Sequence, residues 1–244
     1  MSGHSKWHSI KHKKGAADAK RGKIFTKLGH EIAIAARDGA DPSMNFKLRL
    51  AVQKAKAANM PAANIERSIA RGAGTGESAA LEELNYEGYG PAGVAIMARA
   101  LTDNRNRTGP EIKSTFTKFG GNLGATGSVA YLFEQKGIIV CKPGIDKDEV
   151  TLKAIDAGAA DIDDSGDQVI VYTKPNELEQ IREKLGEDVE SADVEMSPSQ
   201  TISVDDVKKA QTLIKLIDAL DDIDDVVSVT ANYDISDEIM SQLS

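Results

Sequence analysis

The side chains best equipped for chemistry crowd the opening of the chain, in the run MSGHSKWHSIKHKKGAADAKRGKIF. Its first 27 residues hold eight bases, Lys6, Lys11, Lys13, Lys14, Lys20, Arg21, Lys23 and Lys27, against the single acid Asp18. The lone tryptophan, Trp7, lies among them with His4, His8 and His12. Ammonium and guanidinium groups at this density neutralise phosphates, and an indole beside them can stack on an exposed base. Lys6, Trp7, His8, Lys11, His12, Lys13, Lys14, Lys20, Arg21, Lys23 and Lys27 are therefore candidate nucleic-acid contacts. The histidine spacing i, i+4, i+8 would align three imidazoles on a helix. Four interleaved lysines repel a divalent cation there and no carboxylate precedes Asp18, so no metal is expected.

A second candidate is TDNRNRTG, residues 102–109, where Arg105, Asn106 and Arg107 present planar donors between a strand and a helix. Such a helix start can bind a phosphate backbone, and it can equally be local capping and surface charge. GYGPAG, residues 88–93, matches the spacing of a dinucleotide loop, but an apolar strand rather than a helix follows it, so it reads as a tight turn. GGNLGATGS, residues 120–128, has no lysine before its serine and is no Walker loop; it reads as a turn or as a loop apposed to phosphate. The acidic DALDDIDDVVSV, residues 218–229, reads as a solvated helix end, with a basic protein partner as the other reading. All four histidines lie within the first 30 residues and no nucleophile elbow is present, so neither an enzyme nor a small-molecule substrate or cofactor is expected. Cys141, alone in GIIVC, reads as a buried inert thiol.

The charge is unevenly placed along the 244 residues: net +10 over residues 1–72, with 15 bases and 5 acids, and net −18 over the rest. A basic segment on an acidic body suits a polyanionic partner, while the body limits indiscriminate binding. No apolar run approaches the roughly 18 residues of a membrane span, and no apolar segment follows the basic start as in a leader, so a cytoplasmic protein without membrane partners is expected.

The elements that must position these residues follow from periodicity. Up to about Lys23 the chain has too little apolar surface to order itself and reads as an arm. From Ile24, Phe25, Leu28, Ile32 and Ala35 mark one helix face, ending near Gly39. Asp41 and Pro42 read as cap and first residue of a second helix, with Met44, Leu48, Ala51, Val52 and Ala55 inward. A third helix starts at Met60 and Pro61 and stops at Gly72. Lys47, Arg49, Lys54, Lys56, Arg67 and Arg71 face outward. Beyond the small-residue linker 72–80, strands are expected over 93–102 and 128–133, with a helix from Pro110 to Phe119 between them. Residues 137–196 then give the order βαββαβ of a ferredoxin-like unit, followed by a helix, 205–220, and a strand, 226–232. The expected fold is α+β: a basic arm and three-helix domain (1–79), then two ferredoxin-like-type domains, one (134–199) inserted in the other (80–133 with 200–244).

SGHSKW, DAKRGKIFTKL, YEGYGPAGVAIMARALTDNRNRT and FGGNLGATGSVAYLF together resemble the YebC/PmpR family, which includes the mitochondrial translational activators of cytochrome oxidase subunit one. The resemblance runs over essentially the whole chain. It implies a helical domain followed by two α+β domains, and regulation of gene expression either by ribosome-associated action on stalled synthesis or by DNA-binding control of transcription. Helices two and three show no base-reading pattern, whereas a conformable Lys/His arm suits irregular RNA. Ribosomal RNA is thus the first expected partner, promoter DNA the second, and a protein adaptor role for the acidic face a third. The purified protein is expected to turn over neither ATP nor GTP; robust hydrolysis abolished by a point substitution in this chain would contradict that expectation.

Overall fold

The structure, a computed structural model, describes residues 18–75, 81–164 and 166–243, and these form two compact units. The first unit comprises 18–75, 81–130 and 207–231; the second comprises 131–164, 166–206 and 232–243.

The first unit begins with helices α1 (Asp18–Ala36), α2 (Phe46–Ala57) and α3 (Ala62–Gly72). Leu28, Ile32, Ala35, Leu48, Val52, Ala55, Met60 and Ile65 form their shared core, with Phe25, Ala51 and Ile69 at its margin. Helix α1 starts six residues before the expected Ile24, so Lys20, Arg21 and Lys23 belong to a helix and not to an arm; the alanines and long bases of DAKRGK favour helix without any apolar face. The second helix starts later than expected. Asp41 accepts from the Ser43 amide and hydroxyl, closing a turn, and the cap is Asn45, whose Oδ1 accepts from Leu48 N at 3.1 Å. Asn45 is buried because its amide also donates to the Ala35 and Gly39 carbonyls, tying the end of α1 to the start of α2. Met44, expected inward, sits in that turn and is 87% exposed.

Strands β1 (Glu82–Tyr89), β2 (Ala95–Thr102), β3 (Asn122–Leu123) and β9 (Val226–Ala231) form an antiparallel sheet in the order β3-β1-β2-β9. Helices α4 (Arg105–Lys118) and α7 (Val207–Asp221) cover one face, placing Phe116 against Gly88 and Leu213 and Leu216 beside Ile96. Helix α1 covers part of the other, where Ala33 and Ile34 pack with Leu81, Leu101 and Val227. Strand β1 escaped the periodicity because EELNYEGY carries acids and a glycine; a Cβ on Gly88 would lie 2.8 Å from the Phe116 ring, so only glycine fits beneath it. GYGPAG is the turn of the β1–β2 hairpin, a short 3-10 turn at Pro91–Gly93. The expected strand 128–133 is absent: 130–132 is a 3-10 turn, and the next strand begins only at Phe133.

The second unit runs β4 (Phe133–Cys141), α5 (Lys147–Ala157), β5 (Asp161–Asp163), β6 (Ile170–Thr173), α6 (Leu178–Leu185) and β7 (Val189–Pro198). The sheet order β5-β6-β4-β7, antiparallel throughout, is that of a ferredoxin-like fold. Ile139, Cys141, Val169, Val171 and Ala192 pack against Val150, Ala154, Leu178, Ile181 and Leu185 of the two helices. Burial pushes the Cys141 thiol up to about 11, the state of an inert packing residue. Residues 200–206 and 232–243, expected with the first sheet, group with this unit: strand β8 (Ile202–Ser203) runs parallel to β10 (Tyr233–Asp234), and a helix, α8 (Asp237–Gln242), follows. Strand β9 ends at Ala231, and the Asn232 carbonyl beyond it accepts from Ile202 N at 2.7 Å.

Helices α1 and α3 cross at Gly72, where a Cβ would lie 2.1 Å from the Ala33 carbonyl oxygen. Gly72→Ala should therefore destabilise by about 1–3 kcal/mol in urea unfolding. Gly22→Ala, on α1 with nothing within 4 Å, should raise stability by about 0.5–1 kcal/mol.

Candidate nucleic-acid interface

TDNRNRTG folds as the junction of β2 and α4. Asn104 is the cap: its Oδ1 accepts from the amides of Asn106 at 3.1 Å and Arg107 at 3.2 Å. The helix thus starts at Arg105 rather than at Pro110, which lies inside it. Behind the cap sits Asp225, at the entry to β9. Its carboxylate accepts from Thr108 Oγ1 at 2.6 Å, Thr102 Oγ1 at 3.0 Å and the Arg107 guanidinium at 2.7 and 3.0 Å. Burial pushes this carboxyl up, but the bonds from Thr108, Arg107 and Thr102 outweigh it and hold it below the ordinary carboxylate range. Arg107, a candidate phosphate ligand, bridges this carboxylate and Asp103, whose other oxygen accepts from Arg71 at 3.2 Å, while its side chain remains half-exposed. Arg105 and Asn106 project outward, Arg105 only 4.0 Å from Glu82.

His30, on α1, lies in the field of this cluster. Burial first, and then the Arg71 charge, depress its imidazole below the usual histidine value, while Asp225, Asp103 and Asp224 pull the other way. Its Nδ1 is buried without a hydrogen-bond partner among the described residues.

The glycine-rich loop does present a set of converging amides, and the protein fills it with its own anion. The Glu87 carboxylate, buried on β1, accepts from Gly127 N at 2.7 Å and from Val129 N and Ala130 N at 2.8 Å. Burial raises this carboxyl, yet the three backbone donors prevail and hold it below its ordinary range. The loop is a turn pinned from within and leaves these amides to no phosphate.

The acidic stretch 218–225 likewise has internal work. Lys23 Nζ donates to the Asp222 carbonyl at 3.1 Å, and Lys27 Nζ lies 2.7 Å from Asp221. Lys47 pairs with Asp38 and Lys54 with Glu31. Arg49 lies over the Phe46 ring, whereas Lys56 and Arg67 are exposed without an ion pair among the described residues. Lys20 and Arg21 fall in the first turn of α1. Lys6, Trp7, His8, Lys11, His12, Lys13 and Lys14 lie outside the described residues. Among the described candidates, Arg105, Asn106 and Arg107 meet at one junction, and Lys23 and Lys27 face the end of α7. Among the described residues no group of three or more His, Cys, Asp or Glu side chains gathers as a metal site. Asp225, Glu87 and His30 were not singled out by the sequence. Only the isolated Glu87 within an otherwise apolar-and-glycine run, YEGYGPAGVAI, hinted at a partner.

Comparison with known proteins matches residues 5–75 to the model described as the TACO1/YebC protein N-terminal domain and residues 81–233 to the TACO1/YebC second and third domain. A "probable transcriptional regulatory protein" of Persephonella marina is 50% identical, with 100% of each chain covered. One of Moorella thermoacetica is 52% identical, over 100% of this chain and 99% of its own. A crystal structure of a conserved hypothetical protein from Aquifex aeolicus superposes with a TM-score of 0.87 at 48% identity, covering 95% of this chain and 97% of that one.

Removing the Asp225 acceptor should be costly. Asp225→Asn should lower stability by about 2–3 kcal/mol near neutral pH, since Arg107 and two hydroxyls lose an ionic acceptor. Because the folded carboxyl titrates below its unfolded value of about 3.9, that contribution is present above this value and is lost as pH falls through the folded one. Urea midpoints of the two proteins should differ constantly above about pH 5 and converge on further acidification.

Proposed function

The chain belongs to the TACO1/YebC family, and on that premise we propose that it regulates gene expression by binding nucleic acid, without catalysing a reaction, and favours ribosomal RNA as its target. The observation that carries this reading is the polarity of charge, net +10 over residues 1–72 against −18 beyond. In the described part much of the basic charge is answered internally, Lys23, Lys27, Arg71 and Arg107 each having a carboxylate within 3.5 Å. Binding capacity then rests on the first 14 residues, whose Lys6, Lys11, Lys13 and Lys14 have no acid among them, with Arg105, Asn106, Lys56 and Arg67 as accessory contacts. Trp7 adds stacking on an unpaired base, worth about 1–3 kcal/mol.

The preference for RNA over sequence-specific duplex DNA rests on the opening segment, whose four lysines, three histidines and one tryptophan with no acid among them suit stacking and phosphate contact on irregular, unpaired RNA. The second reading, a DNA-binding transcriptional regulator, draws on the printed names of the relatives from Persephonella and Moorella. A cytoplasmic location belongs to either proposal; no helix among the described residues is long and apolar enough to cross a membrane.

Ribosome co-sedimentation against retardation of promoter DNA separates the two readings. The first expects the protein in the ribosomal pellet and equal, weak retention of promoter and random duplex; selective retention of promoter would overturn it. In salt titrations the quadruple change Lys6→Gln, Lys11→Gln, Lys13→Gln, Lys14→Gln should flatten the log-log slope of affinity by about 3, at 0.7–0.9 per phosphate contact. An unchanged slope would move the interface off the opening segment.

A further inference from the structure

Helix α1 packs on both sides. Leu28, Ile32, Ala35 and Ala36 enter the core shared with α2 and α3. Lys23, Lys27, His30 and Ile34 recur every three or four residues on the opposite side, which meets the sheet and the end of α7. The apolar part of this seam is small: Ala33 and Ile34 meet Leu81, Leu101 and Val227. The rest is polar. Lys23 pairs with Asp222 and Lys27 with Asp221, and Arg37, just past the end of α1, donates to the Leu81 carbonyl.

His30 is buried in the middle of that stripe. Neither its Nδ1 nor the buried Arg71 Nε has a hydrogen-bond partner among the described residues. The charged groups around it are Arg71 from α3, Asp103 from the β2–α4 junction, and Asp224 and Asp225 from the turn before β9, with Arg107 beyond Asp225. A neutral imidazole is tolerated in such a place. An imidazolium carries an N–H on both ring nitrogens, and the one on Nδ1 would be buried beside a guanidinium with no acceptor. Asp225 and Asp103 attract the charge, but Asp225 is engaged by Thr102, Thr108 and Arg107, and Asp103 by Arg71 and Arg107. Burial, with Arg71, outweighs them.

We infer that His30 is a pH-sensitive latch between the three-helix layer and the first sheet: the seam closes on a neutral imidazole, and protonation opens α1 from Leu101 and Val227 while the helices keep their own core. In the open state the ring is solvated and takes the ordinary histidine value of about 6.5. The seam is therefore at full strength above that value and weakens as pH falls below it. Each pH unit multiplies the open population by up to about ten, until the ring in the closed state itself titrates. Asp225 and Glu87 are held below the ordinary carboxylate range and stay charged through this window. The latch stands whether or not the chain binds nucleic acid. Its consequence, release of Lys23 and Lys27 from Asp222 and Asp221 to meet phosphates, rests on the function proposed above.

Val227→Cys in the full chain, without nucleic acid, puts a thiol beneath α1, and the buried Cys141 of the second unit is an internal control. Labelling by a pyridyl disulfide, followed peptide by peptide and divided by the rate in the urea-unfolded chain at the same pH, reads the open population. From about pH 7.5 to about pH 5.5 it should rise at least twofold at position 227, with a ceiling of about tenfold, and stay constant at Cys141. Adding His30→Gln should abolish the rise, and adding Arg71→Gln should reduce it. In the unmodified chain the His30 imidazole resonance should titrate below the ordinary histidine value. Labelling at 227 that ignores pH, or an undiminished rise with His30→Gln, would overturn the inference. So would an equal rise at Cys141, which makes the opening global, or a His30 resonance that titrates at or above the ordinary value.

Discussion

Asp225 gathers on one carboxylate the end of β2 through Thr102, the first turn of α4 through Arg107 and Thr108, and the entry to β9 that it occupies itself. Asp225 lies 117–123 residues from the groups that donate to it, and in between the chain leaves the first unit after residue 130 and returns at 207. The carboxylate is costly to bury and is repaid only because every neighbour donates to it. That requirement fixes the register in which β9 meets β2 and sets where α4 begins. It also spends Arg107, and through Asp103 it engages Arg71, so two guanidinium groups of the basic domain serve the fold.

The same economy recurs around it. Glu87 fills the amide cradle of the glycine-rich loop, and Asp221 and Asp222 at the end of α7 hold Lys27 and Lys23 of α1. Acids that look like a solvated helix end in sequence are counterions for a neighbouring helix. Such exposed pairs contribute little stability each, but they engage Lys23 and Lys27, two bases of the net-positive part of the chain. Under the proposed function, binding of a polyanion falls to the lysines that precede Asp18.

Much of the fold was legible in the sequence because its signals are local. The run VAIMARAL announces a buried strand, the face Leu28, Ile32, Ala35 announces a helix, and the alternation of strands and helices over 137–196 announces a ferredoxin-like sheet. The errors came where long-range packing overrode local preference. Proline's liking for a first helical turn suggested starts at Pro42 and Pro110, whereas the caps are Asn45, which also ties back to Ala35 and Gly39, and Asn104, whose Oδ1 takes the amides of Asn106 and Arg107. Strand β1 is written in acids and glycine because Phe116 presses on Gly88 and the loop amides await Glu87. For the candidate site, Arg105, Asn106 and Arg107 were visible as donors, but only Asp225 shows that Arg107 is already engaged.

The central claim is that the opening segment, and not the acidic body, meets the nucleic acid. Ultraviolet cross-linking of the full-length protein to ribosomes, followed by mapping of the RNA-bearing peptides by mass spectrometry, tests it most directly. The account places the cross-links within residues 4–14, with Trp7 foremost and secondary sites near Arg105. Cross-links confined to 134–243, with none on the opening segment, would contradict it.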